Sequence, residues 1–150
     1  GHQNFVSTML RLGQERAEMK VVSDQTGAPT AAADIAQALA AIVNKISSDR
    51  KLPATGIFHL TAGGETTWHA FAGEIFEEAR AHGLKTPSQV LAIGTVDYPT
   101  PARRPLNSRL DNTKLRTTFG IEMPHWNDAL HNHFPGFIAP AGEKKKEAAS

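Results

Sequence analysis

The apolar positions of the chain recur first at helical spacing. In "NFVSTMLRLGQER", Phe5, Val6, Met9, Leu10 and Leu12 fall close to i, i+3, i+4 and i+7, which predicts an amphipathic helix. "EMKVVSDQ" follows, and its Val-Val centre predicts a short strand from Met19 to Ser23. "DQTGAPT" reads as a loop, with Pro29 holding the residue before it extended. Thr30 is placed to cap the next helix, Ala31 to Ile46, whose Ile35, Leu39, Ile42, Val43 and Ile46 form one stripe. After a linker, "GIFHLTA" predicts a strand from Ile57 to Ala62. A double-glycine turn then leads into a helix capped by Thr66 or Thr67, with Trp68, Phe71, Ile75 and Phe76 on its buried face and Gly83 at its end. "QVLAIGTV" predicts a third strand. Asp111 can cap a short helix, "NTKLRTTFG", ended by Gly120, and Pro124 precedes a last helix from His125 to His133.

Helices and strands therefore alternate, which indicates an α/β chain with some parallel pairing. Three short strands and about five helices make a thin sheet. Two readings stand side by side: a small independent α/β domain, or a piece of a larger α/β protein. The first helix begins within three residues of the chain start, which suggests that something upstream is missing, but the residues alone leave both readings open. The organised region is expected over residues 1–137, and residues 138–150, ending "AGEKKKEAAS", read as a disordered tail.

Composition narrows the function classes. The chain has 150 residues, 40% hydrophobic and 21% charged, with a net charge of +1, so no broad attraction to nucleic acid or an anionic membrane is expected. There is no cysteine, which excludes disulfides and thiolate metal sites and is compatible with the cytoplasm. No apolar run is long enough for a transmembrane helix.

Catalytic motifs are scarce. Gly63-Gly64 has the turn-before-helix context of a phosphate loop but not the G-x-G-x-x-G spacing, so a tight turn is the plainer reading. On a helix, His131 and His133 point roughly 200° apart, and no metal site is assigned to them. Glu74, Glu77 and Glu78 read as a solvated helix face. The only tyrosine, Tyr98, has Ala102 four residues on, so a Tyr-x-x-x-Lys proton-transfer pair is absent. The densest chemistry is "PTPARRPLNSRLD", residues 99–111. Arg103, Arg104 and Arg109 offer planar donor forks suited to phosphate oxygens, on backbone stiffened by proline. The same arginines could instead bridge to Asp97 and Asp111, and the residues alone do not choose between the two.

"NFVSTMLRLGQER", "VVSDQTGAPT", "GIFHLTAGGETTWHAFAGEIFEEAR", "YPTPARRPLNSRLD" and "LRTTFGIEMPHWNDAL", in this order, closely resemble the C-terminal half of dTDP-4-dehydrorhamnose reductases, from about Asn4 to Phe134. The resemblance implies the substrate-binding part of a Rossmann-type extended short-chain dehydrogenase. It also implies an NADPH-dependent reduction of dTDP-4-dehydro-L-rhamnose to dTDP-L-rhamnose. In that family the cofactor loop and the Tyr-x-x-x-Lys pair lie upstream of "NF", so this stretch by itself is expected to bind the dTDP-sugar rather than to react. Asn4 is implied at the diphosphate, Arg103, Arg104 and Arg109 on the diphosphate and nucleotide side, and Gln25 and Thr30 at the cleft edge. The resemblance also implies a homodimer of the parent protein, since some similar enzymes form dimers linked by a divalent metal through carboxylates on the helix after "GAPT". Ala33 stands there, so no metal is carried over. The competing reading is a reductase-like binding or regulatory module without catalysis.

Overall fold

The computed structural model describes residues 4–49, 55–98, 100–102 and 104–139. Arg103 and most of the expected tail, residues 140–150, lie outside them. Among the described residues the chain forms six helices: α1 (Phe5–Glu15), α2 (Ala32–Ser48), α3 (Trp68–Ala81), α4 (Thr113–Phe119), α5 (Trp126–His133) and α6 (Pro135–Ile138). Four strands accompany them: β1 (Glu18–Val22), β2 (Thr26–Gly27), β3 (Thr66–Thr67) and β4 (Gln89–Ile93). Strand β1 pairs in parallel with β4, with Glu18 opposite Gln89 and Val22 opposite Ile93. Strands β2 and β3 form a short antiparallel pair, and a bridge from Asn107 continues it on the far side of Thr26.

Helix α1 forms where its stripe predicts. Asn4 is its N-cap, accepting from the Ser7 amide, while the Ser7 hydroxyl accepts from the Asn4 amide, so two free helix-end donors are satisfied reciprocally. Val6, Met9 and Leu10 pack against Phe71, Ile75 and Phe76 of α3, where Thr67 is the capping threonine. The same core takes in Met19 and Val21 of β1 and closes over Trp126, Leu130 and the fully buried Phe134. Helix α6 had no sequence signal of its own. It carries Phe137 and Ile138 onto this core, so Ile138 belongs to a helix here.

Four expectations need correction. The segment from Ile57 to Ala62 is not a strand. Side chains hold it instead: Asn112 Oδ1 accepts from the Thr61 amide, Asn112 Nδ2 donates to the Thr61 carbonyl, and the Thr30 hydroxyl accepts from the Ala62 amide. These bonds satisfy the backbone that a ladder would otherwise satisfy. Thr30 is thereby taken from the capping role. The N-cap of α2 is Ala31, with no side-chain bond, and Thr30 donates back to the Ala28 carbonyl.

The third correction concerns α2. The helix forms, but its apolar stripe does not face the core: Leu39, Val43 and Ile46 are 51%, 61% and 43% exposed, and only Ala38 is buried. Helix α2 meets a second, smaller core of Leu115, Phe119 and Met123 through Ala38 and Ile42, a narrower line than the stripe. Fourth, Asp111 accepts from the Thr113 amide, but the N-cap position of α4 is Asn112. Gly120 ends α4 in the left-handed conformation, φ 60°, as the sequence predicts.

Candidate functional site

A cleft of about 920 Å³ opens between the start of α1, the entry to α2 and the α5–α6 end of the large core. Three sequence-distant stretches build it. Asn4, Ser7 and Thr8 stand on the first turns of α1, Pro29 to Ala33 form the opposite wall, and His133 with Phe137 closes the far end. Phe5, Trp68, Phe71 and Trp126 make the floor. Phe5 lies 4.7 Å from the Trp68 ring and stacks on Phe71 at 5.6 Å, while Trp126 meets Phe71 edge-on at 5.9 Å. These spacings are those of an interlocked aromatic cluster. Trp126 is held further by donating its Nε1–H to the Glu65 carbonyl.

Polar groups concentrate at the α1 end. Asn4 uses Oδ1 on the Ser7 amide, and no bond occupies its Nδ2 among the described residues. The helix N-terminus adds its positive dipole end. Arg11 also lines the cleft, although its guanidinium pairs with Glu15 one turn on. A partly apolar cavity with a few converging donors at one end suits a ligand with a flat or apolar body and an anionic group.

Of the residues the sequence singled out, the cleft brings together Asn4 and Thr30. Gln25 is buried away from it, donating to the Thr95 hydroxyl. Beside it, the Thr95 hydroxyl and amide both donate to Asp24, which holds that carboxyl below its usual range. Gln25 thus helps join the β1–β2 loop to the turn after β4. Arg109 donates to Glu65 and to Asn107 Oδ1, so the carboxylate it bridges to is Glu65, not Asp97 or Asp111. Arg104 is exposed and forms no ion pair among the described residues, and Arg103 lies outside them.

The expected solvated face of α3 also changes. Glu78 is largely covered and accepts from His131 Nδ1 at 2.8 Å, and this bond raises the His131 pKa above its ordinary value. His133 turns the other way and donates to Asp34 at 2.8 Å. Among the described residues, no group of three His, Cys, Asp or Glu side chains could hold a metal ion.

Of the aromatic floor, the apolar spacing in the sequence marks Phe5, Trp68 and Phe71 as helix-face residues but does not single out Trp126. Trp126 directly follows the His125 cap, and its large apolar surface on a short helix was the available signal.

The Gly63-Gly64 turn does not serve as a dinucleotide loop. The one glycine pair before a helix is closed by α5: the Gly63 amide donates to the Pro124 carbonyl, and the Trp126 amide donates to the Gly63 carbonyl. The His125 ring lies where a Gly64 side chain would stand. A pyrophosphate has no room to approach that backbone. No described helix is long and apolar enough to cross a membrane.

Comparison with known proteins gives one consistent family. The model of the RmlD substrate binding domain matches residues 1–137. The dTDP-4-dehydrorhamnose reductase of Shigella flexneri is 46% identical over 124 residues, covering 82% of this chain and 41% of the relative. The crystal structure of the Bacillus anthracis dTDP-4-dehydrorhamnose reductase in complex with NADP superposes with a TM-score of 0.73 at 34% identity, over 91% of this chain and 44% of that one. The Clostridium acetobutylicum reductase gives a TM-score of 0.76 at 34% identity, over 92% and 45%. The chain thus spans less than half the length of these relatives. On the match of residues 1–137, the chain belongs to the RmlD substrate-binding domain family.

Proposed function

We propose that this chain supplies the nucleotide-sugar side of the cleft in an NADPH-dependent dTDP-4-dehydrorhamnose reductase, converting dTDP-4-dehydro-L-rhamnose to dTDP-L-rhamnose in the cytoplasm. The observation that carries this reading is the match of residues 1–137 to the substrate-binding domain of such reductases. The cleft supports it through its composition, an aromatic floor with donors at one end. In this reading Asn4 Nδ2 and the free amides of the first turn of α1 receive diphosphate oxygens, and Thr30 stands on the facing wall. Arg104, exposed and without an ion pair among the described residues, is the arginine of the loop left available to the same charge. Arg109, already compensated by Glu65, supports that loop rather than the ligand.

These residues bind and orient. The single tyrosine, Tyr98, has no lysine four residues on, so proton donation to a forming alkoxide falls to groups outside these 150 residues. The gene product carrying this chain is expected to oxidise NADPH when given dTDP-4-dehydro-L-rhamnose. Its Asn4→Ala variant is expected to bind dTDP about tenfold more weakly in calorimetry, the scale of one charge-assisted hydrogen bond. Absence of turnover together with retained dTDP binding would favour the non-catalytic binding module instead.

A further inference from the structure

Asp34 and His133 stand 99 positions apart and meet at 2.8 Å, joining the first turn of α2 to the last turn of α5. The Asp34 side chain is 11% exposed, and its Oδ2 is sealed from solvent without a hydrogen-bond partner. His133 is the only cationic or donor side chain bonded to it among the described residues. A covered carboxylate with one oxygen unsatisfied is costly unless a cationic donor compensates it.

The pair also has a particular place. Ala129 and His133 line the cleft on one side and a second cavity of about 690 Å³ on the other, where Asp34 is part of the wall. Ala129 and His133 are thus shared between the walls of both spaces. Helix α2 has few other attachments near this end: Ala31 offers no side-chain cap, and Ala38 is the helix's one buried residue. Pro29 to Ala33, which lead into that turn, form the cleft wall facing Asn4.

We propose that the Asp34–His133 pair is a strap that fixes the α2 wall of the cleft, with both residues acting as positioning residues for the ligand held against Asn4. The strap itself rests on the geometry above, and the identity of its ligand rests on the reductase reading. The sealed carboxylate predicts an asymmetry. His133→Leu strands the Asp34 charge, whereas Asp34→Asn leaves a His133 that can turn to solvent. The double variant removes the stranded charge and recovers much of the loss.

The test is hydrogen exchange and dTDP calorimetry on the intact gene product. In His133→Leu, amides from Ile35 to Ala38 are expected to exchange on the order of 100-fold faster, the scale of a broken buried pair. Affinity for dTDP is expected to fall about tenfold as the wall loses its preorganised position. Asp34→Asn gives a smaller change in both, and the double variant lies between it and His133→Leu. Exchange in α2 unchanged by His133→Leu, or losses that simply add in the double variant, would overturn the strap. Faster exchange with unaltered dTDP affinity would overturn the positioning role. A wild-type protein that binds no dTDP would count against the reductase reading, leaving the exchange arm to decide the strap alone.

Discussion

Two parts of this chain are held together by different means. The part built from α1, α3, α5, α6 and β1 is a packed core of large side chains, with Phe134 and Ile75 fully buried and an aromatic cluster at its edge. The part built from α2, α4 and residues 57–62 has a core of four buried residues, Ala38, Leu115, Phe119 and Met123. There, side chains bonding to backbone supply much of the connection: Asn112 to Thr61, Thr30 to Ala62, and Lys114 to the Thr55 and Ile57 carbonyls. The difference teaches where mutations should be felt. Burial is spread over many contacts and lost by volume, whereas the second part depends on a few polar atoms, each of which leaves a backbone group unsatisfied when removed.

The contrast can be broken at three points. The largest effect is expected in the packed part. Phe134→Ala empties a fully buried site and should lower stability by about 3–5 kcal/mol, read as a drop in urea midpoint. A loss no larger than that of a surface substitution would mean that the first core is looser than its burial implies. In the second part, Asn112→Ala strands the Thr61 amide and carbonyl and should cost about 1–3 kcal/mol. Exchange of the Thr61 amide should rise at the same time, and an unprotected Thr61 in the wild type would show that side chains do not replace a ladder there.

The smallest effect lies at the seam between α3 and α5. The hydrogen bond to Glu78 raises the His131 pKa, and His131 is 71% exposed. Its contribution is therefore complete below the ordinary imidazole value and is lost as pH rises through the higher folded value. His131→Gln should flatten a shallow decline in urea midpoint between about pH 5.5 and pH 8.5. An identical pH profile in the variant would remove this clasp from the account.

Legibility in the sequence follows the same division. Helices α1 and α3 lay open because their apolar spacing coincides with the faces they bury. Strand β1 follows its Val-Val centre and lies one residue earlier than predicted, while β4 starts at Gln89 as predicted but ends at Ile93. Residues 57–62 were misread because an apolar run announces burial and extension but not what satisfies its backbone, which here is Asn112, 51 positions away. The α2 stripe misled for a related reason: periodicity marks a face but not whether anything packs against it. At the site, Asn4 was legible as a helix start, whereas Glu65 beside Arg109 and Asp34 beside His133 are pairings that only the fold creates.

The Gly63-Gly64 turn is closed by the fold itself. Gly64 is held at a φ of 74°, which a side chain resists, and the His125 ring fills the space where one would stand. The demand for glycine at this point is thus met entirely by sterics internal to the fold. A paired glycine before a helix carries information about an anion only when the volume above it is empty. Here that volume belongs to a histidine 61 positions later, so in this chain the turn is closed to an anion by position 125 as much as by 63 and 64.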